Sequence, residues 1–137
     1  MAAPGTSPSS MADGRALKGK RGLRRMINAL GYSIDGLRAA WENEDAFRTE
    51  VVIALLLAPL GWVLGTNPVD RALLIGVLLI VLIVEVLNTA IEVAIDRQSF
   101  EINPLAKRAK DLGSAAVLLA LLLAGGIWLA VIWKRFF

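Results

Sequence analysis

The sequence contains no cysteine and no histidine. Those absences exclude disulfides, thiol nucleophiles, imidazole bases and the usual zinc ligands. Any chemistry must rest on carboxylates, Lys/Arg, hydroxyls and amides, with a metal supplied from outside. Charge is also scarce. Only 20% of the 137 residues are charged and 56% are hydrophobic, with a mean hydropathy of +0.61. This is too apolar for an ordinary soluble domain of one-domain length. The net charge is only +3, and much of the Lys/Arg sits in one N-terminal block.

What is present divides into a tail, an amphipathic segment and three apolar runs. Residues 1–22 are rich in Ala, Gly, Ser and Pro and are expected to form a disordered tail without a signal peptide. Within it, Gly14 to Arg21 nearly matches a phosphate-binding loop. Arg21 stands where Ser/Thr should be, however, and no strand precedes it, so that reading is set aside.

From about 23 to 47, Leu23, Met26, Ile27, Leu30, Ile34, Leu37 and Trp41 recur at helical spacing between basic residues. Such a segment reads as an amphipathic helix on a membrane surface. Spans are expected at about 48–66, 71–96 and 111–133. Pro59 is a candidate kink in the first span, and the GxxxG spacing of Gly61 and Gly65 reads as incidental so near a helix end. Asn67-Pro68 marks a turn. The stretch from Arg97 to Lys110 reads as a polar loop, and Trp128, Trp133, Lys134 and Arg135 anchor the end of the last span. The expected fold class is an all-α membrane protein. Most Lys/Arg precede the first span or lie between the second and third, which puts the N-terminus and the long loop in the cytoplasm.

The run from Glu85 to Asp96 carries the strongest signal. At ~100° per residue, Glu85, Asn88, Glu92 and Asp96 share one stripe. An ionised side chain facing lipid costs on the order of 3 kcal/mol, so that stripe must face protein, water or a ligand. Glu85 lies deep enough to meet a lipid headgroup, while Glu92 and Asp96 lie nearer the loop. A buried polar cluster that merely joins helices is the bland alternative.

A second acidic group comprises Glu42, Glu44, Asp45 and Glu50. Glu42 and Asp45 read as solvated, whereas Glu44 and Glu50 are candidates for the same site as Glu85. One carboxylate from each helix is enough for magnesium when substrate phosphates complete the shell. Lys107, Arg108, Lys110, Asp111 and Ser114 form a third group beside a helix start. It reads either as a phosphate site or as membrane anchoring.

These residues stand in motifs that resemble the small prokaryotic diacylglycerol kinases. The resemblance covers about Leu23 to Trp133. It is carried by Ala29-Leu-Gly-Tyr-Ser33, Gly36-Leu-Arg-Ala-Ala-Trp41, Asn43-Glu44 with Ala46-Phe-Arg48 and Glu50, Glu85-Val-Leu-Asn-Thr-Ala-Ile-Glu92, Asp96-Arg97, and Ala109-Lys-Asp-Leu-Gly-Ser-Ala-Ala-Val117.

The resemblance implies a homotrimer in the bacterial inner membrane that phosphorylates diacylglycerol with magnesium ATP, with no nucleic-acid partner. It makes Glu85 the general base, and Glu44 and Glu92 the ligands of Mg2+ with ATP. Arg25, Tyr32, Glu101, Lys110 and Asp111 become nucleotide contacts. Arg25, Ser33, Arg48, Glu50, Asn88 and Ser114 become lipid-substrate or supporting positions. The family's Glu-x-His is here Glu101-Ile102-Asn103, so Asn103 departs from the pattern.

Two other functions fit part of the pattern. Asn103-Pro-Leu-Ala-Lys107 resembles the undecaprenol kinase branch, whereas the Gly36 to Trp41 and Glu44 to Glu50 segments resemble the diacylglycerol branch. A small proton-coupled transporter subunit would use Glu85 as an intramembrane proton site.

Overall fold

Proline and asparagine set the starts of the last two helices of this chain. The computed structural model describes residues 11–97 and 103–137, all in or between four helices: α1 (Met11–Asn43), α2 (Asp45–Leu64), α3 (Pro68–Asp96) and α4 (Pro104–Phe136). Asn67 caps α3 by accepting the Asp70 N–H at 2.9 Å, and Pro68 opens the first turn. Asn103 caps α4 in the same way, accepting the Leu105 N–H at 2.9 Å ahead of Pro104.

The helix boundaries differ from the sequence expectation at three places. The first helix begins at Met11, ahead of the expected Leu23; Ala, Leu, Arg and Lys between 15 and 20 all favour helix. It also stops at Asn43 rather than continuing to Phe47, because Glu44 is extended at φ −117°, ψ 111°. Residues 104–110, expected as loop, form the first turns of α4. Their Leu-Ala-Lys-Arg-Ala-Lys composition is helix-favouring, and polarity alone had marked them as loop.

The chain divides into a unit ending at Arg38 and a unit from Ala39 to Phe137. In the first, α1 is a single helix with Leu23, Met26, Ile27, Leu30, Ile34 and Leu37 exposed. In the second, α2, α3 and α4 are each long and apolar enough to cross a membrane. The 20 residues of α2 span about 30 Å, matching the hydrocarbon thickness only if the helix starts at its charged end. It runs unbroken through Pro59.

Helix α3 is central, packed against both α2 and α4, which barely touch each other. Its buried stripe comprises Asp70, Leu74, Val77, Leu78, Val81, Glu85 and Asn88. On α4 the buried positions are mainly small, Gly113, Ala120 and Ala124, with Val131 beyond. Small residues let backbones approach, which supplies packing where no hydrophobic effect operates.

Glycine does the same on α2. A Cβ at Gly61 would stand 3.1 Å from Leu74 Cβ and 3.4 Å from Trp128 Cζ2. At Gly65 it would meet the Arg71 backbone nitrogen at 2.9 Å. The pair is therefore not incidental: Gly61 seats α2 on its neighbours, and Gly65 allows the turn. Trp128 completes the packing by donating its Nε1–H to the Leu74 carbonyl at 3.1 Å.

Candidate active site

The apolar stripe of α3 does not end at the core; it continues in register into acid and amide. Glu85 is 5% exposed and Asn88 9%, and Glu92, one turn further, is half-buried. Glu85 lies 17 residues after Pro68, about 25 Å along the helix and so near one boundary of the hydrocarbon. Asn88 Nδ2 donates to Glu92 Oε1 at 3.1 Å, tying the two positions together.

Glu44 and Glu50 reach this region from the α1–α2 junction. Glu44 is half-buried, caps α2 through its backbone alone and makes no side-chain cap hydrogen bond, so its carboxylate stays available. Arg48 fixes the junction. Its Nη1 donates to the carbonyls of Trp41 and Glu42 at 3.0 and 3.2 Å, and its Nη2 pairs with Asp45. These bonds satisfy carbonyls left open where α1 ends. Glu42 and Asp45 are exposed, as their solvated reading requires.

Glu85 lies within coulombic range of both Glu44 and Glu92, and Glu50 within range of Glu85. One oxygen of Glu50 is buried without a hydrogen-bond partner, as is Asn88 Oδ1. Four carboxylates, from α2, from α3 and from the residue that joins α1 to α2, are thus gathered near one end of the bundle. Among the described residues, however, no three acidic side chains converge closely enough to hold a metal ion by themselves.

The basic group lies beside this cluster at the start of α4. Lys110 Nζ donates to Asp96 Oδ1 at 2.5 Å, linking α4 to α3, and lies within coulombic range of Glu92. Lys107 pairs with Asp111 at 2.5 Å, one turn apart on α4. Arg108 and Ser114 are exposed. On the other unit, Arg25 and Tyr32 are exposed along α1, and Ser33 Oγ donates to the Ala29 carbonyl at 3.0 Å. Glu101 lies outside the described residues. The departure at Asn103 has a structural use: this side chain starts α4.

From Glu50 an apolar groove of about 310 Å³ runs between the helices, walled by Ile53, Leu57, Val81, Leu121 and Trp128 among others. Sequence reasoning missed this groove and two further features. Gly113 brings α4 against Asn88. At the opposite end, buried Asp70 meets Lys134 across 64 residues, Nζ standing 3.1 Å from each carboxylate oxygen. The capping pattern of Asn67, Pro68 and Asp70 was a usable signal for part of that end.

These features define a helical membrane protein with an acidic and amide-bearing site at one end of its spans and an apolar groove leading from it. Comparison with known proteins narrows the class. The profile of the family described as prokaryotic diacylglycerol kinase matches residues 31–132. The diacylglycerol kinase of Escherichia coli is 48% identical over 115 residues, which is 84% of this chain and 94% of that protein. That of Pseudomonas aeruginosa is 46% identical over the same shares, and one from Helicobacter pylori is 40% identical over 85% of this chain and 87% of its own. The chain belongs to the prokaryotic diacylglycerol kinase family.

Proposed function

We propose that this chain transfers the γ-phosphoryl group of magnesium ATP to the primary hydroxyl of diacylglycerol, giving phosphatidic acid. The observation that carries the reading is Glu85, buried where the apolar stripe of α3 turns acidic, with Glu44, Glu50 and Glu92 near enough for their charges to be felt there. The groove that begins at Glu50 offers apolar walls to an acyl chain, with its polar end toward Glu85. An oily acceptor and a soluble donor can meet at such a boundary.

Glu85 accepts the proton of the lipid hydroxyl as its oxygen attacks the γ-phosphorus and the bond to the departing ADP breaks. Lys110 binds the nucleotide, with Asp111 and Glu101 as further contacts. Arg48 holds the junction that presents Glu44 and Glu50, and Asn88 and Ser114 support the lipid side. The donor set suits a magnesium ion: oxygens only, and few enough to need substrate phosphates to complete the shell. Glu44 and Glu92 would hold that ion, which supplies neutralisation of phosphate charge.

The apolar face of α1 suits the membrane surface, with its basic residues toward anionic headgroups. Leu79, Ile83 and Leu87 form an uncovered apolar strip on α3, suited to packing against two further copies in a homotrimer. The asymmetry of Lys/Arg supports an inner-membrane topology with a cytoplasmic N-terminus.

The test is transfer of radiolabelled phosphate from ATP by purified protein in mixed micelles, with diacylglycerol and undecaprenol offered side by side. Preferential labelling of diacylglycerol is the expected result. Preferential labelling of undecaprenol would move the chain to the alternative substrate. Absence of labelled lipid with either acceptor would overturn the kinase reading in favour of intramembrane proton chemistry at Glu85.

A further inference from the structure

Gly113 is buried on α4 where that helix passes Asn88 of α3. A Cβ built on Gly113 would run into Asn88 Oδ1 and would stand 3.3 Å from Asn88 Cγ. Any side chain at this position would compete with the amide for the same space. The amide is also fixed from its other side, since Nδ2 donates to Glu92 Oε1 at 3.1 Å. An ionised carboxylate only accepts, so it dictates that the nitrogen faces Glu92 and the oxygen faces Gly113. That oxygen is buried with no hydrogen-bond partner. An orphaned buried acceptor carries a desolvation cost.

We propose that Gly113 is a positioning residue for phosphoryl transfer: its missing side chain holds the Asn88 amide in the one orientation that aims the Glu92 carboxylate. The inference rests on the reading of Glu92 as a ligand of the magnesium nucleotide. Gly113 touches neither substrate nor metal; it acts through Asn88, and Asn88 through Glu92.

The test is the magnesium dependence of transfer and of nucleotide binding in Gly113→Ala, Asn88→Ala, the double variant and Glu92→Gln. Loss of an outer hydrogen bond to a metal ligand typically costs about 10–100-fold in metal affinity. Gly113→Ala is expected to raise the half-saturating magnesium concentration by that order. A residue that served packing alone would lower thermal stability and leave the magnesium dependence unmoved. In the Asn88→Ala background no amide remains to be displaced, so adding Gly113→Ala should shift the magnesium dependence no further.

An unshifted magnesium dependence in folded Gly113→Ala, or full additivity in the double variant, overturns the proposal. Should Gly113→Ala fail to fold, Asn88→Ala decides alone: unchanged magnesium dependence there overturns it equally. If Glu92→Gln leaves the magnesium dependence unchanged, the metal-ligand reading itself has failed. If Glu92→Gln shifts it and the other variants do not, only the role of Gly113 has failed.

Discussion

Lys134 Nζ sits 3.1 Å from both carboxylate oxygens of Asp70, joining the last turn of α4 to the first turn of α3. Asp70 is 5% exposed, and it also accepts from Thr66 Oγ1 at 2.5 Å and Asn67 Nδ2 at 3.0 Å. The lock closes the end of the bundle opposite Glu85. Lys134 is largely exposed but Asp70 is buried, so removing the lysine leaves the buried carboxylate without its counter-charge, which harms more than removing both. Lys134→Met should therefore lower the unfolding temperature in detergent, whereas the same change in an Asp70→Asn background should cost much less. Phosphoryl transfer well below the transition should stay within about twofold of the parent, because distant sites act independently.

Gly61 makes a prediction in which two effects oppose each other. Alanine gains about 0.8–1.0 kcal/mol of helix propensity over glycine. Its Cβ, however, would lie 3.1 Å from Leu74, which is fully buried and has nowhere to move. Overpacking of this kind costs about 1–3 kcal/mol. Gly61→Ala should be destabilising on balance, read as a lower unfolding temperature with an unchanged KM for ATP.

How far the sequence foretold these relationships depends on their reach along the chain. The stripe of Glu85, Asn88 and Glu92 was legible because helical periodicity is local, and the structure continues the same stripe from Leu74 through Val81. The three spans were legible because bilayer thickness sets their length. The contacts between helices were not. Whether Gly113 meets Asn88, or Lys134 meets Asp70, depends on the relative register of α3 and α4, and no pattern within either helix encodes it. The start of α4 was missed for a different reason: the basic residues from Lys107 to Lys110 resemble a loop in hydropathy, yet Asn103 and Pro104 form a capped helix start. The resemblance had drawn attention to what Asn103 lacks, whereas its conformation shows what it does.

Glu92 offers the direct test of how the magnesium nucleotide is held. Its Oε1 accepts from Asn88, so the carboxylate is oriented before any ligand arrives. Glutamine preserves the shape and that acceptor but removes the charge a divalent ion requires. Glu92→Gln should raise the half-saturating magnesium concentration at least about tenfold, with little change in the KM for diacylglycerol. Titrating transfer activity with magnesium at fixed ATP reads the shift directly.

Glu85 differs from Glu92 in depth, and the difference predicts a different kinetic signature. It is buried at the groove end of the cluster beside Glu50, where a lipid hydroxyl would lie, while Glu92 is only half-buried. A group that takes a proton in the transition state contributes about 10²–10⁴-fold to the rate and little to ground-state binding. Glu85→Gln should therefore lose turnover by that order while nucleotide binding, followed by calorimetry or a fluorescent analogue, remains near that of the parent. Retention of near-normal turnover would remove Glu85 from the base role and leave the proton to Glu50, the other carboxylate at the head of the groove.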